Sequence, residues 1–158
     1  MRSMVAALAM CLSFSPALAA AAESTPAPAS GQSETERNRA VVTDFMNMFY
    51  TQKKVRDAFE KHVVADYIQH NPGAPDGREG TLKVLEPFLS AQPQLSFKIH
   101  RILVDGDMAA VHSEIVASAG QPSFAVVDIL RLKDGKVVEH WDVMQPVPEK
   151  SANPHPMF

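Results

Sequence analysis

The residues that could do chemistry gather in the second half of the chain. In an extended segment residues two apart share a face, so along residues 124–132 Asp128 stands with Phe124, Val126, Leu130 and Leu132. A carboxylate in such a stripe must find hydrogen bonds, and one whose charge is costly there is suited to exchange protons near neutral pH. Pairing with Arg131 or a backbone donor, or a bulge that turns Asp128 outward, would serve the pattern equally. His112 and Glu114 project from one face with Met108 and Ala110; they share a proton, bind one ligand, or form a polar surface pair. Residues 139–145 put Glu139, Trp141, Val143 and Gln145 on one face and His140, Asp142 and Met144 on the other. The single Trp points to its own face as the one bordering the core or a pocket, unless it only packs.

Tyr67, His70 and Asn71 follow a helix in an extended run that ends at Pro72, because the residue before proline avoids helical geometry. With His112, His140 and Asp142 they invite a metal. However, no pair has the helical spacing of a zinc enzyme and the only cysteine is Cys11, so the expectation is no metal. There is no Gly-x-Ser-x-Gly elbow, glycine-rich phosphate loop or dinucleotide fingerprint, which argues against a serine hydrolase and a nucleotide cofactor.

The elements that must carry these side chains fall into two halves. Val41, Val42, Phe45, Met46, Met48 and Phe49 recur at helical spacing and predict a long helix over residues 35–52. Val55, Phe59, Val63 and Val64 continue that spacing as a second helix. Leu82, Val84, Leu85, Phe88 and Leu89 give a third, stopped at Pro93. Beyond it the period becomes two, with strands over about 95–104, 108–118, 124–132 and 137–145 and turns at Asp105-Gly106-Asp107, Gly120 to Pro122 and Lys133-Asp134-Gly135-Lys136. Helices first and an antiparallel meander second predict a single α+β domain with helices on one face of a curved sheet.

The chain has 158 residues, enough for one domain. Fifteen Lys and Arg against eighteen Asp and Glu give a net charge of -3, too little positive charge to make nucleic acid a partner. Arg2, an apolar run from Met4 to about Phe14, Pro16 and Ala17-Leu18-Ala19 have the layout of a cleavable signal peptide over residues 1–19. The run is too short to span a bilayer, so a periplasmic or secreted protein without a membrane anchor is expected. Residues 20–33 read as a flexible leader, 34–146 as the domain, and 147–158 as a proline-rich arm whose Met157 and Phe158 can dock on the body or on a partner chain.

Three segments together carry a resemblance: Tyr67-Ile68-Gln69-His70-Asn71-Pro72 with Asp76-Gly77, Val127 to Leu132 leading to Asp134-Gly135-Lys136, and Val138 to Gln145. They resemble the SnoaL-like polyketide cyclase branch of the nuclear transport factor 2-like superfamily, including its aldol-condensation-catalysing members. The resemblance implies a cone, a curved antiparallel sheet wrapped around a long N-terminal helix, with an apolar cavity open at one end. It implies a homodimer, a small hydrophobic molecule as partner, and carboxylate chemistry without metal or organic cofactor. Asp128 matches the cyclases' acid/base carboxylate by its place in the penultimate strand, with His112 assisting and Tyr67, His70, Asn71, Glu114, Trp141 and Gln145 lining the ligand site. In one departure, relatives commonly read Val-His-x-His where this chain has Val111-His112-Ser113-Glu114. The function expected is exported, cofactor-independent proton abstraction next to a carbonyl, of aldol, cyclase or isomerase type; the rival is a periplasmic binding protein for a hydrophobic ligand.

Overall fold

The computed structural model describes residues 32–116 and 122–158, so the expected signal peptide and most of the leader lie outside it. Helix α1 spans Glu34–Met46. Its start is fixed by a capping box, in which Ser33 Oγ accepts from Glu36 N–H and the Glu36 carboxylate accepts from Ser33 N–H. The expected long helix does not run on as an α-helix; Asn47–Thr51 form a wider π turn that carries the buried Tyr50. Helix α2 spans Val55–His62, and α3 spans Arg78–Ser90.

The second helix is shorter than its apolar spacing implies. Val63 and Val64, which fit the helical spacing, instead open strand β1, Val63–Gln69. β-branched residues are stiff in a helix and pack well on a pleated surface, and here a partner strand is available to take them. Strands β2 (Ser96–Asp105), β3 (Met108–Val116), β4 (Phe124–Lys133) and β5 (Lys136–Pro146) form the expected antiparallel meander. β1 joins it as a fifth, parallel edge strand, giving the order β1-β5-β4-β3-β2 in a curved, unclosed sheet. The β4–β5 hairpin turns through Asp134 (φ 52°) and Gly135 (φ 72°), the two positive φ angles a tight primed turn demands.

The helices cover the concave face. Val42, Phe45 and Met46 of α1, Phe59 of α2 and Leu82 of α3 meet Val111, Leu130, Leu132 and Val137 in one core. Two side chains of α1 pin it to the β2–β3 turn: Asn38 Nδ2 donates to Gly106 O at 2.9 Å, and Thr35 Oγ1 accepts from Gly106 N–H at 3.0 Å. Along β4, Val126, Asp128, Leu130 and Leu132 are all buried, so the alternation read from the sequence holds and Asp128 faces inward. Residues 147–158 run without helix or strand, and Phe158 ends stacked on His100, ring centroids 4.6 Å apart at 13°.

Candidate active site

Between the helices and the concave face lies a cavity of about 600 Å³, the size of a site for a drug-sized molecule. Phe45, Phe49, Phe59, Leu85, Phe97 and Val126 contribute to a largely apolar wall. Its polar groups come from neighbouring elements. β4 supplies Asp128, β5 supplies His140 and Asp142, β1 and the loop after it supply Tyr67, Gln69 and Asn71, and the π turn supplies Tyr50.

Strand register explains why these residues meet. Asp128 pairs directly with Asp142 across β4–β5, so both carboxylates point into the cavity. His140 lies two residues before Asp142 on the same face, and Gln69 is its partner across the parallel β1–β5 pair. One ligating atom from each of Asp128, His140 and Asp142 lies within 4.8 Å of the others.

The contacts define what this cluster can do. Tyr50 O–H donates to Asp128 Oδ2 at 2.7 Å, and His140 Nε2 stands 3.2 Å from Asp128 Oδ1. Asn71 Nδ2 reaches both Asp142 oxygens, at 2.9 and 2.7 Å. His140 Nδ1 lies 2.9 Å from Gln69 Oε1. Burial, reinforced by Asp128, pushes the Tyr50 phenol well above its ordinary range, and burial pushes Tyr67 up to about 12. Both phenols are therefore neutral hydrogen-bonding groups at physiological pH. The carboxylate–imidazole–carboxylate set is suited to proton transfer. It has the donor types of a metal site too, but Asn71, Gln69 and Tyr50 already satisfy the same side chains by hydrogen bonds.

Of the residues expected at the site, Asp128, Tyr67 and Asn71 line the cavity. The other five stand elsewhere. Because Asp128 pairs with Val111, the inward residues of β3 are Ala109, Val111 and Ser113, and His112 and Glu114 project from the outer face. There His112 Nδ1 accepts from Arg101 at 2.7 Å, and Glu114 meets His100 at 3.3 Å. Burial, then the Arg101 and His100 charges, hold the His112 imidazole below its ordinary range. His112 therefore cannot assist Asp128; the imidazole beside that carboxylate is His140. Trp141 and Gln145 also face outward, against the inference drawn from the single Trp. Trp141 is accommodated there because His70 stacks on it at 4.6 Å and 6°, and Arg131 covers it at 5.7 Å. Glu139 ties this surface group together, accepting from His70 at 2.8 Å and Arg131 at 2.9 Å, which hold its carboxyl below the usual range.

From the sequence, Tyr50 and Gln69 have no site role, and His140 and Asp142 enter only as candidate metal ligands, not as partners of Asp128. Alternation does group His140 with Asp142; the missing element was the cross-strand register that puts them opposite Asp128. A shallower groove of about 420 Å³ lies at the start of α2, beside the Arg56–Glu86 ion pair, and shares Phe49 and Phe97 with the cavity.

A curved sheet closed by helices over an apolar cavity with ionisable groups on its inner face defines a cone-shaped α+β small-molecule fold. Residues 42–140 match the SnoaL-like domain, and the chain belongs to that family, within the nuclear transport factor 2-like superfamily. No protein of curated function matches it in sequence. Similar solved structures include a candidate SnoaL-like polyketide cyclase from Jannaschia sp. (19% identity, TM-score 0.61, 74% of this chain and 91% of that one). A candidate ketosteroid isomerase from Kribbella flavida is 22% identical, with a TM-score of 0.59 over 78% of this chain and 85% of that one. TsrD from Streptomyces laurentii is 24% identical, with a TM-score of 0.57 over 67% and 89%. At these identities the likeness shows the fold.

Proposed function

We propose that this protein is an exported enzyme that moves a proton next to a carbonyl in a small apolar molecule, using Asp142, His140 and Asp128 without metal or organic cofactor. The observation that carries the reading is the pair of inward carboxylates flanking one imidazole in an otherwise apolar cavity. Asp142 is the base. Its oxygens meet a single amide nitrogen, whereas each Asp128 oxygen already has a partner, so Asp142 keeps more free lone pairs. Asp128, the base expected from the sequence, anchors His140, and His140 supports the oxygen on which charge develops. Among the described residues no lysine or arginine lines the cavity, which favours an uncharged carbonyl compound over a phosphate ester or a free carboxylate of the same size. The structural neighbours described as candidate cyclases and isomerases are consistent with enolate chemistry. The apolar N-terminal run supports export.

The test is exchange of carbon-bound protons in deuterated buffer, followed by NMR over a panel of apolar ketones and β-ketoesters. Exchange above the buffer rate that is lost in Asp142→Asn supports the reading. No exchange with any member, combined with tight retention of a ligand that Asp142→Asn also binds, would establish the binding-protein alternative. N-terminal sequencing of the protein recovered from its host tests export, which predicts a mature chain beginning near Ala20.

A further inference from the structure

We propose that Gln69 is a positioning residue: it fixes His140 with a proton on Nδ1, so that giving up the proton held between His140 Nε2 and Asp128 Oδ1 leaves a neutral imidazole. The catalytic use of that proton rests on the acid/base reading above.

The amide of Gln69 is oriented by its neighbours. The backbone N–H of Asn71 can only donate, and it reaches Gln69 Oε1 at 2.9 Å; the amide nitrogen turns to the Tyr67 hydroxyl. His140 Nδ1 lies 2.9 Å from the same Oε1. An amide oxygen only accepts, so Nδ1 carries the hydrogen. A neutral imidazole has one N–H, which would leave Nε2 presenting a lone pair. Yet Nε2 stands 3.2 Å from a carboxylate oxygen, another acceptor.

Tyr50 does not resolve this conflict, because its hydroxyl is bound to the other Asp128 oxygen. The contact is satisfied by one more proton on the Nε2–Oδ1 axis, as imidazolium with carboxylate or as imidazole with carboxylic acid. In either form the pair holds a proton facing the cavity. Gln69 is held in place for this work. It is the partner of His140 in the β1–β5 pair, and its own N–H donates to Asp76 Oδ1 at 2.8 Å.

The step balances within the site. Asp142 takes the proton from the carbon beside the carbonyl, the C–H electron pair becomes the C=C bond, and the carbonyl π pair moves to oxygen. That oxygen takes the proton from Nε2, leaving an enol, a neutral His140 still protonated on Nδ1, and a protonated Asp142. Return of the two protons resets the site, with exchange if the carbon proton goes back to its original carbon and isomerisation if it goes to another.

The test is ring nitrogen NMR of His140 in the mature chain, assigned against His140→Asn. Wild type is expected to show Nδ1 protonated around neutral pH. Gln69→Glu, whose carboxylate still accepts from Nδ1, keeps that pattern. Gln69→Leu loses it, as the ring turns to the Nε2–H form that donates to Asp128. An unprotonated Nδ1 in wild type, or an unchanged pattern in Gln69→Leu, overturns the proposal. Should Gln69→Leu not fold, the wild-type and Gln69→Glu spectra still decide. No substrate is needed, so a protein inert toward every carbonyl compound refutes the proposed function and leaves the protonation pattern to be judged by itself. With a substrate in hand, Gln69→Leu lowers kcat on the order of 10²-fold with KM changed less than about twofold, and Gln69→Glu restores kcat.

Discussion

Tyr50, on the π turn that follows the first helix, donates its hydroxyl hydrogen to Asp128 on the penultimate strand at 2.7 Å, joining parts of the chain 78 residues apart. Both partners are buried, so the bond is structural as well as electrostatic. Tyr50→Phe keeps the ring, which lies parallel to Phe97 at 4.2 Å and 3°, and removes only the donor. The expected cost is about 1–3 kcal/mol, the penalty for a buried acceptor that loses its partner. Urea unfolding measures it, and an unchanged midpoint would show that another donor replaces the phenol.

The two carboxylates predict different variants. Asp142→Asn should lower turnover by about 10² to 10⁴ while leaving the unfolding midpoint near wild type, because Asp142 is half-buried and its main partner is one amide. Asp128→Asn should affect both turnover and stability, since it changes a buried group bound to Tyr50 and His140. Paired activity and unfolding measurements separate the two; equal stability losses would contradict this division.

Alkaline pH provides a third check. The chain has two tyrosines, both buried, and both phenols are pushed up, Tyr67 to about 12. A group whose folded value is raised stabilises the fold fully below its unfolded value, and that contribution is lost as pH rises through the folded one. Stability should therefore fall between about pH 10 and 12. Ultraviolet titration should show no phenolate at pH values near 10 and a steep, cooperative appearance on unfolding; gradual ionisation centred near 10 would mean that the phenols are open to solvent.

The outer face of the sheet supports a fourth expectation, a homodimer. Leu103 and Val143 are 62% and 65% exposed there, a large apolar exposure for a monomer, and Trp141 lies on the same face. Light scattering should give twice the chain mass for wild type and a lower mass for Val143→Glu. Trp141 emission should change on dimer dissociation and stay constant when a molecule fills the cavity on the opposite side of the sheet. A ligand-dependent shift in a Val143→Glu monomer would count against this placement.

Much of the fold was legible in the sequence because periodicity reports which residues share a face. Spacing put Asp128 on the apolar stripe while leaving an outward bulge open; the three helices, the four antiparallel strands and the Asp134-Gly135 turn followed from it. Two features did not. Val63 and Val64 satisfy helical and strand periods alike, and the choice was made by β5, a strand more than 70 residues away. On residues 139–145 alternation separated two faces correctly but could not rank them, and the cost of exposing Trp141 pointed to the wrong one. That cost is met on the surface by His70 and Arg131, contacts no local pattern encodes. The same uncertainty misplaced His112, whose face is fixed only by the pairing of Val111 with Asp128.

The parallel pairing of β1 with β5 has a kinetic consequence. A hairpin can close as soon as its turn is made, but Gln69 and His140 become neighbours only when a loop of some 70 residues has closed around the rest of the domain. The Gln69–His140 contact that sets the protonation of the imidazole is thus among the last parts of the molecule to form. A chain truncated before Lys136 would contain Tyr50, Gln69 and Asp128 but lack the imidazole and Asp142, and would be silent in any exchange assay. Appearance of activity during refolding would then time the seating of the edge strand, independently of any signal from the meander.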